Sequence, residues 1–290
     1  MAPTRKNTCN IARIRPKYRP NSYMNALRLI LLLLPVLGTS LPASAHEFWL
    51  DAEPYLFSPD QPVSVDLRNG QSFHGTKLPY LPNNIARFEL HHESQILRYV
   101  GRTGDFPAYQ SDGLPEGLVS VVHETTPATI TYETLEEFRA FALDKGRADV
   151  VDSHRARGLQ VENFTEIYTR HAKALLAVGE GLGTDHSFGM KTEFIALTNP
   201  YDPSFNSEMQ VELRLDQTLQ PAVKVTVFQK SRTDDVTVSH LWTNAEGRIS
   251  LRLSPGDRYL LDAVAFDAAP EGADAVWQTY WASLTFAAPE

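Results

Sequence analysis

Apolar residues recur at every second position through the last third of the chain, and that period limits what the segment can become. Met209, Val211, Leu213 and Leu215 alternate with Gln210, Glu212 and Arg214, and Val223-Val225-Val227 and Ile249-Leu251-Leu253 repeat the pattern. A period of two places one set of side chains on one face of a pleated strand; a helix with this pattern would spread its apolar groups around its whole girth. Turn formers separate the strands, at Asn244-Ala245-Glu246-Gly247 and Ser254-Pro255-Gly256-Asp257. Short alternating strands joined by such turns predict an antiparallel β-sandwich over residues 205–290.

Residues 46–200 read as a second β-sandwich with a helical insertion. Val63-Ser64-Val65-Asp66-Leu67 and Phe88-Glu89-Leu90 alternate, and Leu118 to His123 and Phe194 to Leu197 are apolar strands. Between them the texture changes, and the insertion spans 134–179. Thr134-Leu135-Glu136-Glu137 has the form of a capping box, and Leu135, Phe138 and Ala142 fall on one helical face before Gly146. Phe164, Ile167, Tyr168, His171, Leu175 and Val178 also sit at helical spacing, which predicts a second helix over 163–178 with Gly179 as its stop. Asn199-Pro200-Tyr201-Asp202-Pro203 is the expected linker. The fold class is thus mainly β, with two antiparallel β-sandwich domains and a pair of α-helices inserted in the first.

The start of the chain reads as an export signal. Arg28 precedes an apolar run from Leu29 to Leu37, helix breakers follow, and Ala43-Ser44-Ala45 forms an A-x-A cleavage site. The run is too short for a stable transmembrane helix, which needs about 20 apolar residues. Residues 1–45 are therefore expected to be removed, with translation beginning at Met1 or at Met24, and the mature chain placed in the periplasm. Removing that segment takes seven of the 27 basic residues and none of the 35 acidic ones, leaving a net charge of −15. Such a surface repels nucleic acid and anionic lipid and tolerates cations. The single cysteine, Cys9, leaves with the signal. No disulfide is then available, and packing alone must hold the fold.

Six segments carry a family resemblance: AHEFWL at the mature start, GQSFHG at 70–75, YTRHAKALLAVG at 168–179, LTNPYDP at 197–203, TNAEGRISLRLSPG at 243–256 and WASLTF at 281–286. In this order they resemble the domain-of-unknown-function family often labelled periplasmic component of cobalt/nickel transport systems. The C-terminal part also resembles transthyretin-like, carboxypeptidase-regulatory sandwiches. The resemblance implies nickel or cobalt as cargo and an inner-membrane metal transporter as partner.

The residues offer their own chemistry at the cleavage site. Once Ala45 is removed, the α-amine and ring Nδ1 of His46 form a chelating pair. Nitrogen ligands without a thiolate suit nickel, cobalt, copper or zinc. Further ligands are needed, and His74, His123 and His92 are the candidates, in that order. His74 lies in a loop between Gly70 and Gly75, His123 is in phase with Val119 and Val121, and His92 is in phase with Phe88 and Leu90. His91 is expected in solvent with Glu89, and His171 in the core. No H-x-x-x-H or H-E-x-x-H pair, G-x-S-x-G, P-loop or dinucleotide fingerprint occurs. The expectation is a non-enzymatic metal-binding accessory protein. The alternatives are a metal-free two-sandwich module that binds a glycan or protein and, more remotely, a copper oxygenase with a histidine brace at His46. Trp242, Trp277 and Trp281 are as well explained by core packing as by a sugar platform.

Overall fold

The computed structural model describes residues 46–290. The signal segment and the choice between Met1 and Met24 lie outside the described residues. Among the described residues no helix is long and apolar enough to cross a membrane. The elements run β1 (Glu47–Ala52), β2 (Leu56–Phe57), β3 (Val63–Gln71), β4 (His74–Leu78), β5 (Ile85–His92), β6 (Gln95–Arg98), β7 (Tyr109–Ser111), β8 (Gly117–Thr125) and β9 (Ala128–Thr134). Helices α1 (Leu135–Asp144) and α2 (Ala148–Ala156) follow. The rest is strand: β10 (Glu162–Val178), β11 (Thr192–Ala196), β12 (Glu208–Leu215), β13 (Thr218–Leu219), β14 (Lys224–Lys230), β15 (Val236–Trp242), β16 (Arg248–Arg252), β17 (Arg258–Ala268) and β18 (Trp277–Ala287).

These strands form three sheets. A ten-stranded sheet runs β15-β14-β17-β18-β10-β8-β5-β6, with β2 and β9 also paired to β10. One four-stranded sheet holds β1, β3, β4 and β7, and the other holds β11, β12, β13 and β16. Each small sheet covers one face of the large one. Phe48, Leu50, Val65 and Leu67 pack with Leu90, Val121, Ala174 and Leu176 on one side. Phe194, Met209, Val211 and Ile249 pack with Leu175, Ala177, Leu261 and Leu284 on the other. The mainly-β reading stands, and the two sandwiches share their middle sheet. The expected linker is accordingly fixed in place: the Tyr201 hydroxyl donates to the Leu175 carbonyl at 2.7 Å and accepts from the Ala287 amide at 3.3 Å.

The segment expected as a second helix is instead the 17-residue strand β10. Ala172, Ala174, Leu176 and Val178 face one core, Leu175 and Ala177 the other, and every residue from His171 to Val178 is buried. A strand covered on both faces has no polar side, so its alternation disappears and its apolar run is indistinguishable from a buried helix by period alone. It pairs in parallel with β18, from Glu166 with Trp277 to Ala174 with Thr285, and antiparallel with β8 and β9. The real second helix, α2, was concealed by its polarity: only Val150, Val151 and His154 of its nine residues are buried.

Helix α1 begins where the capping box places it. The Thr134 hydroxyl accepts from the Glu137 amide at 3.3 Å, and the Glu137 carboxylate accepts from the Glu133 amide at 3.1 Å. Phe138, Phe141 and Ala142 anchor the helix in an aromatic cluster with Tyr132, Phe164, Trp277 and Trp281. Gly146 ends the turn beyond it with φ of +74°, where a β-carbon would meet the side chains of Trp242 and Lys224.

One charge lies inside the β10 spine. Lys173 is fully buried and pairs with Asp185 at 3.1 Å and Glu193 at 2.9 Å, tying the segment after β10 to the sheet. Lys173→Met leaves two buried carboxylates unpaired and is expected to cost about 3–5 kcal/mol in chemical denaturation. Thr134→Ala removes one cap and is expected to cost about 1 kcal/mol. Equal losses for the two variants would show that Lys173 is not central to the fold.

Candidate functional site

The hydrophobic surface that buries β1 also sets the position of His46. All six residues of β1 are buried, while His46, immediately before it, is exposed. Its carbonyl accepts from Arg170 Nη2 at 3.3 Å. His46 lines a cleft of about 240 Å³ with Asn69, Ile130, Tyr132, Glu166, Tyr168, Arg170 and Trp281. Sheet pairing assembles these walls: Arg170 stands beside Trp281 across the β10–β18 register, and Glu166 beside Ile130 across β9–β10.

The cleft holds perturbed titratable groups, which is where chemistry and binding tend to reside. Burial pushes the Glu166 carboxyl up to about 7, although hydroxyls oppose the shift by donating to it. Those hydroxyls belong to Thr279 and to Tyr132, the latter at 2.9 Å, and the Trp281 indole N–H in turn donates to Thr279. Glu47, on the neighbouring position of β1, is also raised to about 7, by burial and then by the charge of Asp262, against the pull of Lys145. Lys145 closes this cluster: its ammonium lies 3.0 Å from Asp262, 3.9 Å from Glu47 and 4.9 Å from the Trp281 ring centre.

The four histidines singled out from the sequence are not gathered around one point. His46 is the one histidine lining its cleft. His74 is exposed at the start of β4 and its Nδ1–H donates to the Ser72 carbonyl at 3.0 Å. His92, at the end of β5, donates from Nε2 to the Glu116 carbonyl at 2.8 Å. His123 is buried in phase with Val119 and Val121, as expected, and lines a neighbouring cleft; burial holds its ring down at about 3, with the nearby His171 adding to the effect. Among the described residues no group of three His, Cys, Asp or Glu side chains could hold a metal ion.

Two neighbours exchange their expected roles. His91 is buried and pairs with Glu89 at 3.0 Å, in a network with Arg87 and Glu124, whereas His92 is partly exposed. The strand phase was read correctly, but the supposed solvent face of β5 is covered, and His92 lies at the strand end beyond the core. His171 is buried as expected, on a strand rather than a helix. Trp277 and Trp281 are core residues, while Trp242 is exposed.

Glu166, Arg170, Tyr132 and Glu47 were missed, because no local motif marks them. Their electrostatics give a pH prediction. Between the ordinary glutamate value, about 4.3, and about 7, the unfolded chain has lost the Glu166 proton and the folded chain keeps it. The contribution of this group is thus fully present below that window and is lost as pH rises through about 7, a loss of roughly 3 kcal/mol. Glu166→Gln is expected to remove this group's share of the pH dependence of urea stability between pH 4.5 and 7.5; Glu47 acts in the same direction, and the buried His123 and His171, held down at about 3 and about 4, act in the opposite one. An unchanged slope would show that Glu166 ionises normally in the folded chain.

A crystal structure of a tetra-tandem repeat in the extending region of a large adhesion protein shares 11% identity, covering 83% of this chain and 49% of that one, at a TM-score of 0.20. The chain therefore spans about half the length of that structure, and a likeness this distant carries no argument. No protein of curated function matches the chain. The profile of the domain of unknown function DUF4198 matches residues 43–267, and the chain belongs to that family.

Proposed function

We propose that this chain is an exported, non-catalytic binding protein that captures a divalent transition metal at the head of β1 and buffers it or passes it to an inner-membrane transporter. Nickel and cobalt are favoured by the resemblance of the sequence, and copper by nitrogen-ligand affinity. The observation that supports the reading is the contrast at the mature start: His46 is exposed while the whole of β1 behind it is buried. A chain cleaved after Ala45 would present its amine and imidazole from a rigid base at the mouth of a cleft. The chelating pair supplies two positions, and water or a small solute supplies the others.

A second reading, a metal-free module that binds a glycan or protein, draws on a specific observation. The described residues bring no third His, Cys, Asp or Glu ligand into a group. Thermal melting separates the two readings, because a ligand that binds only the folded chain raises its stability. The metal reading expects a higher melting temperature with added nickel, copper or zinc, and the alternative expects none.

Processing gives the sharper test. Retaining Ala45 replaces the basic amine with an amide nitrogen. Isothermal titration is expected to show at least a tenfold loss of metal affinity for that form, about 1.4 kcal/mol. His46→Ala is expected to do at least as much damage, and His74→Ala or His92→Ala much less. Equal affinities for the native and extended N-termini would remove the amine from the site.

A further inference from the structure

Beside the His46 cleft lies a second one, of about 270 Å³, lined by Phe48, Leu67, Leu78, Ile85, His123 and Arg170 among others. Its walls are largely apolar, and Arg170 is the sole ionised side chain in the lining. Two of its polar groups are unsatisfied. Both ring nitrogens of His123 are buried without a hydrogen-bond partner, as is Nε of Arg170. A neutral imidazole carries one donor and one acceptor, and leaving both unmet inside a fold is unfavourable.

Arg170 is poorly compensated. Its guanidinium stacks on Tyr168 at 5.0 Å and Phe48 at 5.6 Å, and donates to the His46 carbonyl at 3.3 Å. No carboxylate forms an ion pair with it among the described residues. Asp262 and Glu47 act on it only at longer range, and Lys145 already engages both. Burial accordingly pulls its pKa down. A desolvated cation without an anion is a costly arrangement that a bound anion relieves.

We propose that this cleft binds a small carboxylate with an apolar body. The carboxylate pairs with Arg170, and the body lies along Leu67, Leu78 and Ile85. The cleft volume, about 270 Å³, suits a short chain or a single ring. The guanidinium fork suits a carboxylate better than a neutral or cationic head group. The site requires no metal, so its test is independent of the metal-binding reading.

The test uses processed protein with a chelator present. Straight-chain carboxylates from acetate to octanoate are titrated calorimetrically, with 1-hexanol and hexylamine as controls. Affinity is expected to rise with chain length and then fall once the cleft is full. The alcohol and amine are expected to bind at least tenfold more weakly than hexanoate. Arg170→Gln should lose at least tenfold in hexanoate affinity and Arg170→Lys less. Ala128 also lines the cleft, and Ala128→Phe, which narrows it while keeping the cation, should abolish binding in a protein with an unchanged circular dichroism spectrum. Hexanoate binding no tighter than 1-hexanol, binding unaffected by Ala128→Phe, or no binding by any probe would overturn the proposal and leave the cleft to water.

Discussion

The parallel pairing of β10 with β18 is the contact on which the architecture rests. It joins nine residue pairs, from Glu166–Trp277 to Ala174–Thr285, and connects the middle of the chain to its end. Because β10 lies at the middle of the large sheet, its two faces belong to different cores. Each buried Leu or Val there contributes about 1.5–3 kcal/mol relative to exposure. With Cys9 as its single cysteine the chain can form no internal disulfide, so this shared spine must be well packed. That explains a charge as unusual as Lys173 within it, since two carboxylates neutralise it and anchor the following segment to the sheet.

Sequence reasoning succeeded where one side of an element meets water. Met209 and Val211 alternate with the exposed Glu208 and Gln210 on β12, and the Thr134 cap marks α1 by local hydrogen bonding. It failed where burial was two-sided. The residues from His171 to Val178 combine good helix formers with no polar face, and tertiary pairing overrides their local preference. His91 shows the same limitation on a single residue: its phase was legible, but the cover over that face was not. The expected linker is tied down by the Tyr201 hydroxyl, whose partners, Leu175 and Ala287, lie far away in sequence and so could not be read locally.

The candidate site was legible only in its anchor. A cleavage pattern points to His46, but the groups around it converge through pairings of long sequence separation. Tyr132 reaches Glu166 across β9–β10, and Thr279 reaches the same carboxyl across β10–β18. No spacing in a linear chain encodes that triad, and treating 163–178 as a helix would place Glu166 and Arg170 one turn apart on a helical surface. Correct strand assignment puts both, with Tyr168, on the face that meets β1.

The two cations near the head of β1 differ for a reason that bears on what the region attracts. Lys145 is held charged by Asp262, Asp144 and Glu47, against its own burial. Its field is largely cancelled by those acids. Arg170 is only partly buried, yet among the described residues no carboxylate pairs with it and burial works against its charge. Across residues 46–290, which carry a net charge of −15, an uncompensated guanidinium is a local reversal of sign at the wall of two adjoining clefts. Long-range repulsion of anions by the surface is screened within about 8 Å at physiological salt. A small anion that reaches the mouth therefore meets the guanidinium more strongly than the distant acids, and apolar walls lower the dielectric around that contact. Selectivity then follows from geometry: the clefts exclude large polyanions by size, and the acidic exterior repels them before contact.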